Sequence, residues 1–217
     1  MGVPSFFAWW ARNYPHQILY KALPYKDVVL YLDFNGGIHP AVRTDQTLKY
    51  DDMFDAVSAY LDKIVSYVKP KEVWIAIDGV APVAKLSQQR ERRFKSAKES
   101  KHKREIALEH NQSVRSEHVD FNMISPGTDF MYDLEDHLVE YIEKMTKPGQ
   151  KWEKVKISLS GSSAPGEGEH KIMSEIRDRK SRNINEHNCI YGLDADLVFL
   201  SLENTPDCFL VRENVQF

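Results

Sequence analysis

Two cysteines, Cys189 and Cys208, are all that the 217 residues contain. That argues against a disulfide framework. Both lie in strand-like apolar runs, so the sequence predicts buried thiols and a reducing, intracellular compartment, with cytoplasm and nucleus left open. No apolar run approaches the roughly 20 residues of a membrane-spanning helix. The opening "MGVPSFFAWW" has neither the basic region nor the small-residue cleavage site of a secretory signal. Phe6 stands where a myristoylation pattern calls for Ser or Thr. Internal repeats and low-complexity tracts are lacking too. A hydrophobic content of 42% with 28% charged residues then points to one globular domain, 1–217, able to bury a core.

What is present is an uneven charge. From Lys85 to Arg104 there are nine Lys/Arg against two Glu, a local +7 in a chain whose net charge is −3, which leaves −10 for the remainder. A basic segment on an acidic body suits one surface for a polyanion and another that gathers cations. A solvated basic helix is the plainer reading of the segment alone.

Short, β-rich apolar runs at 28–32, 73–77, 155–160, 189–193 and 208–211 read as strands. Helical spacing predicts helices over 51–68, 84–110 and 130–145, and another from the "GSSAPGEGEH" loop to Arg182. Alternation of this kind implies an α/β fold with a mostly parallel, twisted sheet flanked by helices. The first, second and fourth runs end directly at Asp33, Asp78 and Asp194, and the third leads into Glu167 and Glu169. Ligands of open α/β sheets bind beyond the carboxyl ends of the strands, so these acids are expected to converge there.

Asp196 completes a set of six in "GLDADL". Six carboxylates in one crevice repel unless cations neutralise them. Oxygen ligands without a His or Cys cluster suit Mg²⁺ or Mn²⁺, and two such ions about 3.5–4 Å apart serve phosphodiester hydrolysis. The glycines of "PGEGEH" would let backbone approach the ions. If the backbone is still extended through "GLDADL", its two aspartates point different ways. The bland alternative makes each acid a helix N-cap or first-turn residue.

In "KLSQQRERRF", Lys85, Gln89, Arg92 and Arg93 fall at i, i+4, i+7 and i+8, on one helix face without an apolar stripe. Two guanidiniums, an ammonium and an amide suit a terminal phosphate better than a backbone diester. Such a pocket beside the acids fixes a short distance from strand end to cleavage point, the requirement of an exonuclease that releases mononucleotides.

The stretches "MGVPSFFAWWARNYP", "LYLDFNGGIH", "AIDGVAPVAKLSQQRERRF", "ISPGTDFM", "LSGSSAPGEGEHKIM", "YGLDADLVFLSL" and "FLVRENV" occur in the order of one family. The chain resembles the N-terminal conserved region of the XRN 5′-to-3′ exoribonucleases, within the flap-endonuclease-like, PIN-like nucleases. The resemblance implies Mg²⁺-dependent hydrolysis of single-stranded RNA bearing a 5′-monophosphate. It implies that Asp33, Asp78, Glu167, Glu169, Asp194 and Asp196 bind the metals and that Lys85, Gln89, Arg92 and Arg93 hold the 5′-phosphate. It also implies that His39 stacks on the terminal base and that Asn35 lies beside the metals. On its own, His39 reads as an ordinary loop histidine.

Two departures stand out: Gly37 where an aliphatic residue is usual and Val83 where a basic one is common. The family pattern also has a seventh acid and an aromatic stacking partner further along, outside these 217 residues. A C-terminal region or a protein partner is therefore expected to complete the site. Competing readings are a weakly active or inactive RNA 5′-end-binding protein and a structure-specific DNA flap nuclease.

Overall fold

Strand β1, Val29–Asp33, is buried along its whole length and forms the middle of the molecule. The computed structural model describes residues 6–19, 23–42, 49–110, 121–205 and 208–212, without the side chains of 100, 103, 104, 107 and 108. The stretch "MGVPS", the end of "FLVRENV" and the side chains of Lys103 and Arg104 thus lie outside the described residues.

In parallel, β1 pairs with β2, Glu72–Ala76, on one side and β4, Asn188–Tyr191, on the other. The edges are β3, Lys156–Ser160, and β5, Cys208–Val211. The order is β3-β2-β1-β4-β5, and every pairing among the described residues is parallel, where the sequence implied only a mostly parallel sheet. The chain steps outward from β1 to β3 and then returns to the other side of β1 for β4. That reversal opens a crevice between the carboxyl ends of β1 and β4.

Side-chain alternation along β1 divides the core between two faces. Leu30 and Leu32 pack with Ile38, Leu61 and Leu134, which belong to α2 (Asn35–Val42), α3 (Tyr50–Val68) and α5 (Asp129–Met145). Val29 and Tyr31 meet Ile172, Ile176 and Leu197 of α6 (Gly168–Ser181) and α7 (Asp196–Asn204). Each such side chain, fully buried, contributes roughly 1.5–3 kcal/mol. Caps set the helix limits: Thr128 accepts from Met131 N at 3.4 Å to start α5, and left-handed Lys69 (φ 54°) ends α3. Helix α1, Phe6–Asn13, docks on α7 through the Phe6 and Phe199 rings, 4.8 Å apart.

Helix α4, Val83–Glu109, has no buried side chain among those described, and even Phe94 is 74% exposed, so this helix is not held by a core. No helix among the described residues is long and apolar enough to cross a membrane. Cys189 is buried as expected, but Cys208 is only partly so, because β5 is a sheet edge.

Gly37 has a packing reason. A Cβ there would lie 2.9 Å from Phe34 Cε2 and 3.1 Å from Tyr60 Cδ1, so two rings occupy the space that a larger residue would need. Val83 is exposed at the start of α4.

Candidate active site

Asp33 is the last residue of β1 and, at 8% exposure, a carboxylate in the core. Asp78 lies two residues beyond β2, and Asn35 Oδ1 accepts from its backbone N–H at 3.0 Å, tying the ends of β1 and β2 together. One Asp78 oxygen accepts from Gly168 N at 2.6 Å, so Asp78 also caps the first turn of α6 from 90 residues away. Gly168 is required here, since a Cβ would meet Asp33 Oδ1 at 2.6 Å and Asp78 Oδ1 at 3.3 Å. The backbone thus runs directly against both aspartates, as the glycine pattern suggested.

Glu167 occupies the N-cap position of α6, yet its side chain caps nothing. Its Oε2 instead pairs with Lys85 Nζ at 2.7 Å. Glu169 follows in the first turn, and Glu167, Glu169 and His170 present ligand atoms within 4.8 Å of one another. The sequence reading took oxygen ligands alone; His170, next to Glu169 in the chain, is an addition, exposed at the rim and 3.9 Å from both glutamates. Asp194 lies exposed in the loop after β4, and Asp196, partly buried, is the first residue of α7. The strand reading of 189–193 ran too far. β4 stops at Tyr191 and the chain turns into a helix, so extended alternation does not orient the two aspartates.

Electrostatics bring the acids together. Burial, first, and then the charges of Asp78, Asp194, Glu169 and Glu167 push the Asp33 pKa well above the carboxylate range. Burial likewise raises Asp78, partly offset by the Gly168 N–H bond, with Glu167 and Asp194 adding to the rise. Glu169 rises through burial, against the pull of His170, and with repulsion from Asp194, Asp196 and Glu167. Asp33, Asp78, Glu167, Glu169 and Asp194 therefore share one field, which Asp196 joins through Glu169. Mutually repelling oxygen donors around a buried Asp33 are the donor set that suits a hard divalent cation.

Lys171 shapes the same rim. Its Nζ donates to Ile77 O and Gly161 O, each at 2.8 Å, joining the ends of β2 and β3. Gly79 N and Gly166 O, 2.8 Å apart, add a second strap, and Gly79 packs on the Ala164 carbonyl. Arg212, just past β5, sits 3.8 Å over the Phe7 ring; burial lowers its pKa, while Asp194 opposes that shift. Neither residue stands out in the sequence. A lysine bound to backbone carbonyls leaves no pattern in sequence.

Of the basic face, Lys85 reaches the acids through Glu167. Gln89 and Arg93 are partly buried, Arg92 is exposed, and none of the three has a hydrogen-bond or ion-pair partner among the described residues. His39 is on helix α2 rather than in a loop, partly buried.

Comparison with known proteins identifies the family. Residues 1–214 match the family model described as "XRN 5'-3' exonuclease N-terminus". The human protein named 5'-3' exoribonuclease 1 is 40% identical over 231 residues, covering 100% of this chain and 14% of that protein. Its Saccharomyces cerevisiae namesake is 39% identical, with 100% and 15% covered. The Arabidopsis thaliana protein named 5'-3' exoribonuclease 2 is 36% identical over 261 residues, with 100% and 26% covered. The chain thus spans 14% to 26% of the length of these relatives. It belongs to the XRN 5′-3′ exonuclease family, whose N-terminal region it matches.

Proposed function

We propose that this chain forms the metal-binding half of a 5′-to-3′ exoribonuclease site that hydrolyses 5′-monophosphorylated, single-stranded RNA to mononucleotides. The observation that carries the reading is the gathering of carboxylates from four strand ends, with Asp33 and Asp78 packed against Gly168 and burial plus four neighbouring acids raising the Asp33 pKa. Lys85 answers Glu167, but burial and neighbouring acids still raise the pKa of Asp33, Asp78 and Glu169. Mg²⁺ or Mn²⁺, with two ions as the expected number, would neutralise them and supply an activated water for attack at phosphorus.

Within this reading the chain's residues divide the work. Asp33 and Asp78 line the crevice, and Glu167, Glu169, Asp194 and Asp196 hold its outer rim. Asn35 fixes Asp78 through the backbone, and Lys171 keeps the β2 and β3 ends at a set spacing. Lys85, Gln89, Arg92 and Arg93 receive the terminal phosphate, and His39 supports the first base. Residues outside this sequence, or a partner, supply what remains of the site.

An RNA-end-binding protein without activity would leave the uncompensated burial of Asp33 unexplained, and a flap nuclease would act on DNA junctions. Incubation of end-labelled 5′-monophosphate RNA, its 5′-hydroxyl twin and flapped DNA with Mg²⁺ or Mn²⁺ separates the three. The proposal expects mononucleotides from the first substrate only. Intact RNA under both ions, or cleavage confined to DNA, would sink it.

A further inference from the structure

By sequence Lys85 belongs to a phosphate-binding face and Glu167 to a metal-binding cluster, yet the two are each other's partner. Lys85 Nζ lies 2.7 Å from Glu167 Oε2, across 82 residues of chain. The Glu167 carboxylate makes no capping bond, so the backbone does not compete for it. It is also one corner of the group formed with Glu169 and His170. A divalent cation on that group and the Lys85 ammonium therefore contend for one carboxylate. The contest is unequal: at equal distance a dication attracts the carboxylate twice as strongly and repels the ammonium besides. Lys85 has somewhere to go. Its side chain is 38% exposed against 12% for Glu167, and its flexible stem can swing along α4. Gln89 and Arg93 follow one and two turns later on the same face.

We propose that Lys85 couples the two halves of the site: a divalent cation at Glu167 displaces Lys85 towards the phosphate-binding face, so that metal and 5′-phosphate tighten each other's binding. The inference rests on the exonuclease reading and deepens it, since the end-phosphate pocket is complete only when the metal group is filled. Such linkage is reciprocal and typically about 5–150-fold. Lys171 cannot substitute, because its Nζ is committed to Ile77 O and Gly161 O.

The test uses a 5′-phosphorylated RNA oligomer and its 5′-hydroxyl twin, both with uncleavable methylphosphonates at the first linkages. Binding is followed by fluorescence anisotropy in Mg²⁺ and in EDTA. In the unaltered protein, preference for the phosphorylated oligomer should be at least about fivefold greater in Mg²⁺ than in EDTA. Glu167→Gln should release Lys85 permanently and raise the EDTA preference towards the Mg²⁺ value. Lys85→Met should abolish the difference between the two conditions, and calorimetry should show it binding Mn²⁺ more tightly than the unaltered protein does. Equal preference in Mg²⁺ and EDTA, or Mn²⁺ affinity unchanged or weakened in Lys85→Met, overturns the coupling while leaving the exonuclease reading intact. No preference for the 5′-phosphate in either condition overturns both.

Discussion

The two ends of the sheet carry the same kind of residue in opposite electrostatic states. At the amino end, Glu72 is as buried as Asp33, at 8% exposure. Arg179 answers it: Nη2 lies 2.5 Å from Glu72, Nε 2.8 Å from Glu175 and Nη1 3.0 Å from Glu186. Lys156 adds a contact to Glu72 at 3.0 Å and Lys71 one to Glu186 at 3.4 Å. The hydrogen bond from Arg179 outweighs burial and lowers the Glu72 pKa. At the carboxyl end, burial and neighbouring acids raise Asp33, Asp78 and Glu169. One end is paired within the protein; at the other Lys85 answers Glu167, while burial and mutual repulsion dominate at Asp33. Acidity alone does not mark a site, but acidity left uncompensated does.

The sharpest way to break this contrast is to neutralise one acid at each end. Asp33→Asn should cut RNA cleavage about 10²–10³-fold, while raising the stability of the metal-free protein at neutral pH by about 1 kcal/mol. Turnover assays and denaturant titrations read the two effects. Arg179→Met should do the reverse. It should cost about 2–4 kcal/mol, because it strands Glu72, Glu175 and Glu186 around a site that Lys156 reaches only from solvent, and should leave Mn²⁺ affinity by calorimetry within about twofold. A smaller effect is expected of Gly168→Ala, whose Cβ would meet Asp33 Oδ1; activity should fall roughly tenfold with the fold retained in circular dichroism.

The subtlest expected difference is in pH dependence. The raised pKa values mean that the folded state holds protons on Asp33, Asp78 and Glu169 more tightly than the unfolded chain. Their contribution is favourable below the ordinary carboxylate range and is lost as pH rises through the raised values. In EDTA, melting temperature should therefore be lower at an alkaline pH than at one just above the ordinary carboxylate range, by roughly 2–4 °C per kcal/mol lost. Mg²⁺ should raise it most at the alkaline end. A Mg²⁺ effect of equal size at both pH values would contradict the assignment.

Much of this was legible in sequence because parallel strands announce themselves as apolar runs, and a charge ending such a run marks where the core stops. Asp33, Asp78 and Asp194 were readable for that reason. The basic face followed from helical spacing, since no described side chain of α4 is buried in the core to distort its pattern. Helices α2 and α7 were not legible: Gly36, Gly37 and Pro40 disguise the first, and "LVFLSL" carries a strand-like composition. Long-range pairings were equally hidden. Nothing in sequence joins Lys85 to Glu167, Arg179 to Glu72 across 107 residues, or Lys171 to two backbone carbonyls. These choices are made by the fold, after the sheet has aligned its ends.

Calorimetric titration of the chain with Mn²⁺ at neutral pH, beside Asp78→Asn and Arg179→Met, tests the account most directly. The account predicts saturable binding that is lost in Asp78→Asn and kept in Arg179→Met. Saturable binding that survives Asp78→Asn, or none in the unaltered chain, would contradict it.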